Sequence, residues 1–145
     1  MKRTIVITVS CLALGLLSVA GSALAHGTEK HDKGKLADVQ MKKLHTMMPL
    51  FSLVSAELEK AIEKRDSAAV ELEAGKMLRA IPELKKSKPH KNVNQQKKFV
   101  ELAESLELAL TSTNVMAEKG DFAGARKAFK KVEETCAACH AKFRD

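Results

Sequence analysis

Apolar positions in this chain recur three and four residues apart over four long stretches, and nowhere do they alternate in the way a strand would require. That period marks amphipathic helices that bury one stripe each. The first stretch runs from about Leu36 to Lys64, with Ala37, Met41, Leu44, Met48, Phe51, Leu58 and Ile62 in phase. Pro49 falls inside it. The stripe keeps its phase across the proline, so a kinked helix is expected rather than a helix starting near Met47. Asp66 or Ser67 caps a second helix whose face is Val70, Ala74, Met77 or Leu78, and Ile81, with Pro82 marking its end region. A third helix is expected from about Asn94 to Lys119, through Phe99, Leu102, Leu106, Leu110, Thr113 and Met116. Gly120 closes it, and Asp121 caps a fourth whose stripe is Phe122, Ala125, Phe129, Val132, Cys136, Cys139, His140 and Phe143. Helices joined by short first and last connections predict an all-α, antiparallel four-helix bundle.

The segment ahead of the first helix follows other rules. Met1-Lys2-Arg3 is a cationic start, Ile5 to Ala20 is an interrupted apolar run, and Ala23-Leu24-Ala25 is an A-x-A cleavage signature. Residues 1–25 therefore read as an export signal that is removed, not as a membrane anchor, and the expected compartment is the periplasm. Cys11 leaves with it. The polar run His26 to Lys35 reads as a leader without regular structure, in which His26 and His31 are weak metal candidates. Residues 36–145 form the one domain. Loss of Lys2 and Arg3, with no acid lost, lowers the formal charge from +7 to +5. A moderately basic surface favours acidic partner proteins. With no Trp or Tyr to stack on bases, nucleic acid is not an expected partner.

Only two cysteines remain, and they sit together in Cys136-Ala137-Ala138-Cys139-His140. C-x-x-C-H reads as an attachment site for haem c. Two thiols can add to the two haem vinyl groups, and the adjacent imidazole can bind iron as the proximal ligand. Spacings of three and four put all three side chains on one helical face. A structural zinc site needs four ligands and lacks a second cysteine pair. A thioredoxin-like motif belongs at a helix start near a βαβ unit.

With this motif at the end of the last helix, the chain resembles the cytochrome c′ family, the class II c-type cytochromes. The resemblance also rests on Arg144 one turn after His140, on Gly120-Asp121 opening the last helix, and on Ile81-Pro82-Glu83-Leu84 and Phe99. It implies one haem inside the bundle between the last and first helices. It further implies single-electron transfer in the periplasm, or binding of small gases such as nitric oxide or carbon monoxide. Arg144 is then a candidate contact to a haem propionate or to the proximal side. The chain departs from the family in having no Arg on its first helix and no Trp between the second and third.

Those alternatives divide at the sixth position of the iron. A Met there gives a low-spin electron carrier; an apolar residue leaves an open site. Aligning Met41-Lys42-Lys43-Leu44 with low-spin members makes Met41 the favoured distal ligand. Aligning Phe51 instead places Leu44 over the iron, and His45 and Met48 are further candidates. The chain is expected to be an electron carrier and not an enzyme, since His45 is the one polar acid–base candidate on the first helix. A metal-binding protein using the Met and His residues of that helix is a second class of reading. Redox proteins with acidic faces are the expected partners, steered by a collar of Lys42, Lys43, Lys130, Lys131, Lys142 and Arg144. The basic run Lys85 to Asn94 is a solvated connector or a second docking element, and a homodimer is left open.

Overall fold

A computed structural model describes residues 31–144, with side chains from Val39 onward. The expected export signal (1–25) and the first half of the leader (26–30) lie outside the described residues. Four helices follow in order: α1 His31–Glu63, α2 Ser67–Lys86, α3 Gln96–Glu118 and α4 Phe122–Phe143, with a 3₁₀ turn Val93–Gln95 before α3. They form the expected antiparallel bundle, and no strand occurs among the described residues. No helix among them is long and apolar enough to cross a membrane.

Two boundaries differ from expectation. Residues 31–35, assigned to the leader, form the first turns of α1. Once the apolar stripe has nucleated a helix, each further residue adds a backbone hydrogen bond at little cost, even in a polar run. α1 continues through Pro49, as the unbroken phase of its stripe requires. α2 continues four residues past Pro82, because Leu84 is buried and Ser87 closes the helix. The Ser87 N–H donates to the Leu84 carbonyl at 3.0 Å and its hydroxyl to the Glu83 carbonyl at 2.8 Å.

The two short connections use the same device. After α3, Gly120 sits at φ 74°; its N–H donates to the Ala117 carbonyl and that of Asp121 to the Met116 carbonyl, both at 2.9 Å. After α1 the pair is Arg65 N–H to Ile62 at 3.1 Å and Asp66 N–H to Ala61 at 3.0 Å, with Arg65 at φ 57°. Each is a Schellman closure that satisfies the last carbonyls of one helix. Each hands over directly to an aspartate cap, Asp66 accepting from the Ala69 N–H at 3.0 Å and Asp121 from the Gly124 N–H at 2.8 Å.

The core follows the predicted stripes, with Met47, Val54 and Ala61 of α1 added to it and His140 of α4 left exposed. Leu58, Val70, Met77, Ile81, Leu110, Phe129 and Val132 are fully buried, each such side chain stabilising the fold by roughly 1.5–3 kcal/mol. Thr113 fits the apolar stripe because its hydroxyl donates back to the Ala109 carbonyl at 2.8 Å. Packing runs round a ring, heaviest for α3 on α4, then α2 on α3 and α1 on α2. The ring closes weakly, since among the described residues α1 and α4 touch less than the other neighbouring pairs round it.

Candidate haem site

α4 ends in the residues that carry the chemistry. Its aspartate-capped start and its continuous stripe fix the helical phase, so the face that buries Ala125, Phe129 and Val132 also carries Cys136, Cys139 and Phe143. Phe143 is locked edge-on against Phe99 of α3, the ring centroids 5.3 Å apart and the planes at 88°.

A cavity of about 640 Å³ lies along the sparse α1–α4 seam. Cys136, Cys139, His140 and Arg144 all line it, as do Phe99, Leu102 and Leu106 of α3 and Leu84 of α2. The structure thus brings together the two thiols, the imidazole and the guanidinium singled out in the sequence. Both cysteines are half-buried and unpaired. Burial, with Glu133 adding to it, pushes the Cys136 thiol above its ordinary range. Burial and the neighbouring Cys136 push Cys139 to about 11. Such thiols stay protonated at neutral pH, unlike the activated thiolates of redox or nucleophilic cysteines. His140 is shifted the other way, downward, by burial and then by the Arg144 cation. It is therefore held as neutral imidazole, the form that has a lone pair for a metal.

Two thiols, one neutral imidazole and a cation around an apolar cavity of this size fit haem c. Cavities of about 300–1,000 Å³ with apolar walls and a few placed polar groups are the usual form of cofactor sites. Among the described residues no group of three or more His, Cys, Asp or Glu converges as a metal site would require.

The distal side is where the sequence reading needs correction. Met41 does not line the cavity, whereas Leu44, His45, Met48, Pro49, Phe51 and Ser52 of α1 do. Three residues of helix put Met41 about 4.5 Å further along the axis than Leu44, beyond the wall. At 100° per residue the lining positions span roughly 160° of the helix; Met48 lies at their middle along the axis and, with Ser52, nearest their middle around it. Leu44 is buried at 5% exposure, Met48 is half-buried and His45 is exposed. His45 stacks on His90, with ring centroids 5.1 Å apart and planes at 21°.

His90 was not singled out beforehand, nor was Pro89, which is fully buried and lines the cavity. Both belong to the α2–α3 connection. The Lys91 N–H donates to the Phe143 carbonyl at 3.2 Å, and the Asn92 side-chain amide donates to the Lys142 carbonyl at 2.6 Å. This loop therefore caps the end of α4 and roofs the cavity. In the sequence it looks like a solvated basic run, and only the Pro-His pair within it hints at anything more.

No curated protein and no solved structure matches this chain. The family model described as Cytochrome C′ matches residues 82–144. That span covers the end of α2, the cavity roof, α3 and the motif-bearing α4, and it leaves α1 with its distal wall outside. Residues 82–144 are thus similar to the cytochrome c′ family, a family of haem c-type cytochromes.

Proposed function

We propose that this protein carries single electrons in the periplasm through one haem c, bonded through thioethers to Cys136 and Cys139 with His140 as proximal ligand. The observation that carries the reading is the position of Met48 at the middle of the α1 wall, across the cavity from the α4 face. Haem c, when bound, supplies an iron that gains and loses one electron. The residues of the chain supply the setting. His140 presents a neutral nitrogen, and Met48 presents a neutral thioether, so neither ligand adds charge inside an apolar wall. Phe51, Phe99, Leu102 and Leu106 exclude water from the cavity. Arg144 offers a guanidinium to a carboxylate at the rim, a pairing that favours two parallel hydrogen bonds. The reading is non-enzymatic. His45, the polar candidate on α1, is turned to the rim and engaged with His90. Export through residues 1–25 would bring the chain to the compartment where haem c is attached.

A second reading rests on Leu44. It is the most deeply buried lining residue on α1, and if it covers the iron the site is open to nitric oxide or carbon monoxide. Optical and resonance Raman spectra of the reduced protein separate the two. The carrier reading expects a low-spin, six-coordinate spectrum and slow uptake of carbon monoxide. Met48→Ala should turn it high-spin and fast-binding, while Met41→Ala should leave the spectrum unchanged. A wild-type protein that is high-spin and takes up carbon monoxide at once would replace the carrier with the gas-binding reading.

A further inference from the structure

Charge is distributed along the bundle in a way the fold itself does not need. Residues 84–100 and 135–144 contain eight Lys and Arg and not one Asp or Glu. Hydrogen bonds collect these two segments at one end of the molecule. The loop is tied to the α4 carboxyl end through Lys91 and Asn92, and the first turn of α3 is tied to the end of α2 through the Gln96 amide, which donates to the Ser87 carbonyl at 3.0 Å. At that end His90 and Arg144 line the cavity. At the opposite end, residues 57–73 and 114–127 hold eight acids against six cations. Glu59 and Glu63 there are joined to Arg126.

Some of the cavity-end cations are already answered. Lys85 pairs with Glu107, Lys86 with Glu83 and Lys98 with Glu101. Of the collar expected from the sequence, Lys43 is held by Glu83 and Lys131 by Glu134. Lys88, Lys97, Lys142 and Arg144 engage no acid among the described residues. Among them Val93 is 60% exposed, on the 3₁₀ turn that follows the latched loop.

From this arrangement we infer a docking face: the α2–α3 loop and the end of α4 receive the acidic face of a small soluble redox protein, with Val93 as apolar contact and Lys88, Lys97 and Lys142 as its rim. The partner follows from charge complementarity. Unanswered cations beside the cavity and surplus acids at the far end give the molecule a dipole that turns its cavity end toward a negative surface before contact. A protein fits better than a lipid surface, because the cations come from three separate elements held by backbone hydrogen bonds. A fixed pattern of that kind matches another fixed pattern. The inference rests on the carrier reading for its purpose, though not for its geometry.

The test titrates the haem-loaded, isotopically labelled protein with an acidic flavodoxin as probe, following amide chemical shifts while absorbance reports haem content. Shifts should gather in residues 86–98 and 140–144, and affinity should fall at least about tenfold as salt rises well past the physiological range. Lys88→Glu combined with Lys142→Glu should weaken binding by about two- to thirtyfold, the sum of two exposed ion pairs. Lys119→Glu, at the far end, should not. Shifts spread over the acidic end, equal losses in both variants, or tighter binding to phosphatidylserine vesicles than to the flavodoxin would overturn the docking face. A protein that lacks haem yet still binds the flavodoxin through this face would sink the carrier reading and leave the docking face standing.

Discussion

Cys136, Cys139 and His140 share one face of α4, but the surroundings ask different things of them. Both thiols are held protonated by burial, and the imidazole is held neutral by burial and by Arg144. Replacing Cys136 and Cys139 together by serine should therefore abolish covalent haem. Denaturing electrophoresis with a haem stain would show it, and a double variant still carrying stainable haem would rule the attachment out. His140→Ala should retain the stain but lose the native spin state. The shared face of the three residues was readable from spacing alone, because a three-and-four pattern fixes it whatever surrounds the helix. The part of α1 that lines the same cavity was not. Met41, Leu44 and Met48 all lie on one stripe, and periodicity cannot say where along its axis a cavity begins.

At the level of elements, the corners that join α1 to α2 and α3 to α4 show one closure built with two different residues. Gly120 adopts its positive φ freely, whereas Arg65 does so against the crowding of its own Cβ, a cost of about 1 kcal/mol. Arg65→Gly should accordingly raise stability by up to about 1 kcal/mol, and Gly120→Ala should lower it by about the same, both read from denaturant midpoints. Nothing lies within 4 Å of a Cβ built at Gly120, so that loss would be backbone strain alone. A second element-level link is the Lys43–Glu83 pair between α1 and α2. Hydrogen bonds from Lys43 and Lys86 lower the Glu83 pKa from its ordinary 4.5. Its contribution is thus complete above that ordinary value and fades as pH falls through the lowered one. Glu83→Gln should reduce the melting temperature at about pH 7, and the difference from the native protein should shrink as the pH falls and the native carboxylate takes up its proton. An equal reduction at every pH would mean that the charge plays no part. The helices and both corners were legible because each rests on local rules: stripe phase, Gly at C′, Asp at the cap. The α2–α3 loop was not, since its fold depends on the Lys142 and Phe143 carbonyls some fifty residues away.

For the whole molecule, the ring of helix contacts is uneven, and the weak joint is between first and last. Hydrogen exchange on the haem-free protein should therefore show α1 opening at lower free energy than α3 and α4, which pack most heavily on each other. Protection that is lowest in α4 would contradict this. Bundle class and charge balance were readable from composition and pattern, but the sorting of charge between the two ends was not. It emerges only when residues far apart in sequence are gathered at the same end.

The loose seam also separates two histories. α4 with its thiols belongs to the well-packed trio of α2, α3 and α4, while α1 packs along α2 and meets α4 only lightly, like the cover of a book hinged at its spine. A prosthetic group can be fastened to the open page and the cover shut afterwards. On the proposed reading, the α1 side chain facing the metal would take no part in the fastening. Keeping the cofactor and choosing its occupation would then be tasks of different helices, and substitutions along α1 would be expected to change what the haem does while leaving its attachment intact.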